Sequence, residues 1–158
     1  MKRVALGVVA VLVAIGAWSH FASLDGASGL VLRWILRDDT EFARGYSDAA
    51  FRAVHAGMSG EEVAALLGQP LGEVWMIEPK NSDRCLSVYF ESDRVVHGCE
   101  SRGVVRGMLK ADVTNRIGRV TAVSWLYSRS PHDTHYRMRV VHLDQGRTTD
   151  VLSGWYFD

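Results

Sequence analysis

The residues best suited to chemistry lie in Pro131-His132-Asp133-Thr134-His135. Two imidazoles and a carboxylate this close could hold a metal and activate water, the chemistry of a metal-dependent hydrolase. The spacing is His-x-x-His in a loop, not the i, i+4 pair of helical zinc motifs, and no third ligand is indicated. His132, Asp133 and His135 are therefore weak metal candidates, and a solvated hairpin loop is the favoured reading. His55, His97 and His142 are scattered. No Gly-rich phosphate loop, Gly-x-Ser-x-Gly elbow or Cys-His nucleophile pattern occurs. No cofactor is called for, and the sequence reads as a non-enzyme.

Cys85 and Cys99 are the only cysteines. Between them, Leu86, Val88 and Phe90 alternate with Cys85, Ser87 and Tyr89, which predicts a strand. Arg94 to Cys99 is its return partner around a Glu91-Ser92-Asp93 loop. Pairing Phe90 with Arg94 brings Cys85 opposite Cys99, near disulfide distance. Two reduced thiols or a metal site are the alternatives, and a metal would need further ligands.

Three aromatic residues, Trp155, Tyr156 and Phe157, stand in a row near the C-terminus. Neighbours on a strand point to opposite faces, so not all three can be core, and the trio is a candidate binding surface.

These groups need elements to position them. Phe51 to Pro70 predicts two short helices joined at Gly57-Met58. Ser59 is an N-cap and Glu62 its capping-box partner, with Met58 and Val63 as a hydrophobic staple. Val63, Leu66 and Leu67 form the buried stripe. Gly68 suits a left-handed C′ position, and Pro70 forbids continuation. Ser47 or Asp48 caps the preceding helix. Strands follow over Glu73 to Ile77, Arg119 to Tyr127, Tyr136 to Leu143 and Arg147 to Phe157, with a turn at Lys80 to Asp83.

The stretch Gly57-Met58-Ser59-x-x-Glu62-Val63-x-x-Leu66-Leu67-Gly68-x-Pro70 resembles the opening of the SmpA/OmlA (BamE-like) envelope domains. A related small fold occurs in the β-lactamase inhibitor proteins, as tandem copies. The resemblance implies a helix pair on a small antiparallel sheet, in a bacterial envelope protein that binds other proteins. Lipoprotein members carry a cysteine just after the apolar leader, and this chain has none there.

A second copy is visible fifty residues on. Arg52, Val54, Gly57, Met58, Val63, Gly68 and Trp75 recur as Arg102, Val104, Gly107, Met108, Val113, Gly118 and Trp125. The same offset maps Leu86, Val88 and Phe90 onto Tyr136, Met138 and Val140, with an insertion before Asp144-Gln145-Gly146. Leu109 replaces the capping Ser59, so the second helix is expected to be shorter or partly melted. The fold class is α+β: helix pairs on antiparallel sheet, in two tandem units that could share one sheet.

Composition bounds the rest. The 158 residues carry 18 basic and 18 acidic side chains, and no basic surplus points to nucleic acid. Lys2 and Arg3 precede an apolar run, and no charge occurs between Val4 and Leu24. As a helix, that run reaches ~31 Å, close to the ~30 Å hydrocarbon thickness. Residues 1–24 thus form a signal-anchor or a cleaved signal peptide, 25–46 a linker with a short apolar helix, 47–100 the first unit and 101–158 the second. The expected location is the inner membrane, single pass through residues 4–24, with the domain in the periplasm. A secreted or periplasmic protein after cleavage is the alternative. A small-ligand or lipid-sensing domain is the alternative to protein binding.

Overall fold

The computed structural model describes residues 7–15, 17, 24–25, 29, 31–32, 35–36, 38–78, 85–132 and 135–157. Residues 7–15 are helical and exposed. Among the described residues no helix is long and apolar enough to cross a membrane, so the expected span at 4–24 gains no support. The rest of that span, apart from 17 and 24, lies outside the described residues, as does the turn expected at 80–83.

The domain begins with a two-residue strand β1 (Glu41–Phe42) inside the stretch expected to be a linker. Helices α1 (Asp48–Ala53) and α2 (Gly60–Leu67) follow. Then come β2 (Gly72–Ile77), β3 (Ser87–Glu91), β4 (Arg94–His97), one 3-10 turn (Glu100–Arg102) and α3 (Lys110–Ile117). The chain closes with β5 (Val120–Leu126), β6 (Ser128–Arg129), β7 (Tyr136–Asp144) and β8 (Arg147–Tyr156). The fold is α+β and its sheets are antiparallel. Six strands form one sheet in the order β4-β3-β2-β5-β7-β8, and β1 pairs with β6 beside it.

The sheet is built from two meanders joined at β2 and β5. Val74 lies opposite Ser124, its counterpart fifty residues on, so a pseudo-twofold axis passes through that pair. Trp75 and Trp125 flank it on the helix-covered face.

The helices do not cover their own strands. One core joins Phe51, Val63 and Leu67 of α1 and α2 to Val141 and Leu143 of β7. The other joins Val113 and Ile117 of α3 to Val88 and Phe90 of β3. Each helical corner is bound to the opposite hairpin by the same hydrogen bonds. Gly57 N donates to Thr148 O and Gly107 N to Val95 O, at 2.7 and 2.8 Å. Thr148 N returns a bond to Met58 O and Val95 N to Met108 O, at 2.7 and 2.9 Å. Gly60 N donates to Gly146 O and Lys110 N to Asp93 O, at 3.0 and 2.8 Å. Arg147 and Arg94 each donate to the carbonyl of the facing corner glycine, Gly57 or Gly107, at 2.9 Å. These bonds satisfy backbone groups that a sheet edge and a helix start would otherwise leave open.

Several expectations need correction. The β3–β4 turn has two residues, not three: Ser92 and Asp93 both take positive φ, and Glu91 pairs with Arg94. Phe90 therefore faces Val95, and the ladder slips again between Tyr89 and Phe90. Cys85 and Cys99 are nevertheless bonded, with Cα atoms 5.6 Å apart, because both lie beyond the regular ladder. In β7 the positions that join the helix-side core are Val141 and Leu143, while Val140, also buried, points to the other face. The inserted residues precede β7, so Val88 and Phe90 correspond to Val141 and Leu143, three residues beyond the fifty-residue offset, and an odd shift turns the other face inward. Gly68 has positive φ but ψ −167°, outside the left-handed helical region. Its Cβ would lie 2.6 Å from Arg44 O, so glycine is required there on two counts. Helix α3 is neither short nor melted: it has eight residues, as α2 has, although Leu109 makes no side-chain cap.

Candidate functional site: the uncovered face of the sheet

Helices cover one face of the sheet, and the other carries a cleft of about 770 Å³. One wall is Tyr89 of β3. Its ring lies across Gly72, where a Cβ would stand 2.7 Å from the ring. The Tyr89 hydroxyl donates to Glu91 at 2.5 Å. Glu91 also accepts from Arg129 at 3.2 Å, and Arg129 Nε reaches Glu41 of β1 at 3.0 Å. His97 stacks on Tyr89 at 6.2 Å. The opposite wall is Tyr136 and Tyr156, cross-strand partners with rings 5.2 Å apart. Arg106 lies on the rim, exposed.

Burial, and then the bond to Glu91, push the Tyr89 phenol above its ordinary pKa, so it stays a protonated donor. Glu41 holds the Arg129 guanidinium charged. The cleft therefore offers aromatic walls and one fixed cation, Arg129, held between Glu41 and Glu91.

The C-terminal trio is divided between the faces. Tyr156 lines the cleft and is 43% exposed. Trp155 pairs with Arg137 on the helix-covered face, where its ring stacks on Phe157 at 6.4 Å. The buried Trp155 Nε1 has no acceptor among the described residues. Phe157 is 52% exposed and meets His135 edge-on at 5.6 Å.

His132 and His135 have different neighbours. His132 Nδ1 faces Asp39 at 3.3 Å, and His135 faces Phe157. Asp133 lies outside the described residues, among which no group of three or more metal-ligating side chains is assembled. One pair was missed: Ser124 Oγ lies 2.8 Å from His142 Nδ1. Only the strand register brings them together, since they are cross-strand partners in β5 and β7. Ser124 sits mid-ladder between β2 and β7, so the backbone around it is committed to the sheet. It lacks the exposed, strained turn that presents a nucleophilic serine to substrate.

Gly57, Met58, Ser59, Glu62, Gly68 and Pro70 serve the scaffold. Ser59 Oγ accepts from Glu62 N at 3.2 Å, and Glu62 accepts from Ser59 N at 2.7 Å, completing the capping box.

A second concavity of about 430 Å³ lies on the other face, between the starts of α2 and α3. Trp75 and Trp125 line it. Lys110 lies 5.1 Å over the Trp75 ring and 2.7 Å from Glu73.

No protein-family model matches this chain, and neither a curated protein nor a solved structure matches it.

Proposed function

We propose that this is a non-catalytic binding protein of the bacterial envelope, built from two tandem BamE-like units. It grips a partner protein with the uncovered face of its sheet. The observation that carries this reading is the cleft: tyrosines from both halves face each other across it, with Arg106 exposed at the rim. Tyrosine and arginine are the side chains that dominate protein interfaces. The partner presents a protruding segment, with an apolar side chain between the tyrosines and a carboxylate towards Arg106. The Cys85–Cys99 bond supports an oxidising compartment. In this reading residues 4–24 hold the protein in the inner membrane with the domain in the periplasm, or are cleaved as a signal peptide.

The test places a photo-crosslinking residue at Tyr156 or, as control, at Glu61 on the helix-covered side. A discrete adduct with one envelope protein is expected from position 156, and Tyr89→Ala should weaken it at least tenfold. Equal adducts from both positions, or none from 156, sink the reading.

A small-ligand function is the second reading, and the groove lined by Trp75 and Trp125 favours it. A ligand there would change tryptophan fluorescence in a manner that Tyr156→Ala leaves intact.

A further inference from the structure

The two edges of the six-stranded sheet, β4 and β8, are closed to different extents. At β4, Val95 N donates to Met108 O and Val95 O accepts from Gly107 N, and the strand ends two residues later at His97. At β8, Thr148 is closed in the same way by Met58 and Gly57, but the strand runs on to Tyr156. The strip 150–156 beyond the corner has no counterpart in β4.

Which backbone groups of this strip face outward follows from β7. Arg139 uses both of its own on the inner side: its N–H donates to Ser128 Oγ at 2.7 Å and its carbonyl accepts from Tyr127 N at 2.9 Å. Its ladder partner is Ser153, so Ser153 turns its N–H and C=O away from β7, and Val151 and Trp155 do the same. Val151 N–H donates to the adjacent Asp150 carboxylate at 2.9 Å. The outward groups of Ser153 and Trp155 have no partner among the described residues. The side chains add an apolar margin. Leu152 and Tyr156 are 39% and 43% exposed on the uncovered face, and a Cβ at Gly154 between them would meet nothing within 4 Å. Asp150 is the strip's one charge and stands at its start; no lysine, arginine or proline guards the rest against pairing.

We propose that this strip pairs with the same strip of a second copy, antiparallel, about a twofold axis at Ser153. Only outward-facing residues exchange bonds, so Ser153 meets Ser153 of the second copy, and Val151 meets Trp155 of the second copy. On the uncovered face Leu152 lies beside Gly154 of the second copy, in the space which that glycine leaves, and Asp150 beside Tyr156 of the second copy. The strip thus matches itself, residue by residue, with small against large. Neighbouring axes do not. One at Val151 would set Gly154 of the second copy against Thr148, whose outward groups the corner already holds. One at Trp155 would pair only Gly154 to Tyr156 within the strip. The contact is isologous, so it closes at two copies and leaves neither strip open. It joins the two sheets edge to edge and sets both clefts on one continuous face, with Asp150 of the second copy next to the Tyr156 wall. The inference does not rest on the partner proposed for the cleft.

Sedimentation of the purified full-length chain tests it, and a reversible monomer–dimer equilibrium is expected. Leu152→Lys sets like charges on either side of the axis and should weaken dimerisation about tenfold or more. Ser153→Pro removes an outward N–H while sparing the ladder to β7; it should weaken dimerisation likewise, and it serves if the lysine variant does not fold. Tyr89→Ala, on the far wall of the cleft, should leave the equilibrium unchanged. Ser153→Cys should give a disulfide-linked dimer on mild oxidation, since Cα atoms of an opposed bonded pair stand about 5.5 Å apart. Thr114→Cys, exposed on α3, should not. A chain that stays monomeric, dimerisation unmoved by the edge variants or abolished by Tyr89→Ala, or equal crosslinking at 153 and 114 overturns the proposal.

Discussion

Ser59 closes a capping box at the first corner, whereas Leu109 occupies that place in the second and offers no oxygen. A six-residue helix precedes the first corner and one 3-10 turn precedes the second. Yet both following helices have eight residues, bury the matched pairs Val63/Leu67 and Val113/Ile117 completely, and make the same bonds to the opposite hairpin. The difference teaches where helix formation is decided. A cap stabilises by about 1 kcal/mol, while burying one branched aliphatic side chain contributes about 2 kcal/mol and each corner buries several. The second core, which α3 shares with β3 and β4, also has supports of its own. The disulfide closes it, and Arg102 donates to Glu78 O at 2.9 Å and to Ile117 O, tying the end of α3 to the end of β2.

The largest expected effect tests whether the halves are one unit. Leu67→Ala and Ile117→Ala should each cost about 3 kcal/mol, because both side chains are fully buried. Denaturant unfolding of either variant should stay a single transition in fluorescence and circular dichroism. Two separate transitions would mean that each half stands by itself. Next, Cys99→Ser should cost roughly 3 kcal/mol on the loop-entropy argument, and amides of α3 should lose more protection than those of α2. Equal losses in both helices would remove the disulfide's special claim on the second core.

Smaller effects probe the caps. Ser59→Ala should cost about 1 kcal/mol and Leu109→Ser should return a similar or smaller amount, both by chemical denaturation. The smallest effect follows acid. The Ser59 amide and then its hydroxyl hold the Glu62 carboxyl below its ordinary pKa. The resulting stabilisation is full above Glu62's unfolded pKa and fades as pH falls through the lower folded one. A carbon-detected titration should find Glu62 below the ordinary glutamate range in the native chain and closer to it in Ser59→Ala, which loses the hydroxyl bond and keeps the amide. No change between the two would detach Glu62 from the cap.

Local signals were legible in the chain. Ser47, Ser59 and Glu62 act within a few residues of themselves, and each cap fell where its side-chain chemistry required, whereas the need for glycine at 68 comes partly from Arg44, which no local pattern shows. Hairpin register was less legible. Glu91-Ser92-Asp93 admits loops of two or three residues, and only positive φ at both Ser92 and Asp93 decides between them. The inward face of β7 was misassigned for a related reason, since the offset does not reveal on which side of the strand extra residues enter. The cleft was legible only as aromatic residues awaiting a face. Tyr89 gave no sign of facing Tyr136 and Tyr156, because strand order sets that distance. Exchange of the corners left no local mark at all: a repeat makes two halves alike without saying which covers which.

That exchange has a bearing on timing. The corner at Gly57-Met58 completes its bonds only with Thr148 and Gly146. A chain emerging from its N-terminus must therefore hold Phe51, Val63 and Leu67 unsheltered until β7 and β8 arrive. Such long-range closure is slow and exposes apolar surface while it waits. The arrival of β7 and β8 is thus the step that ends this vulnerability, and a chaperone would be needed longest over α1 and α2.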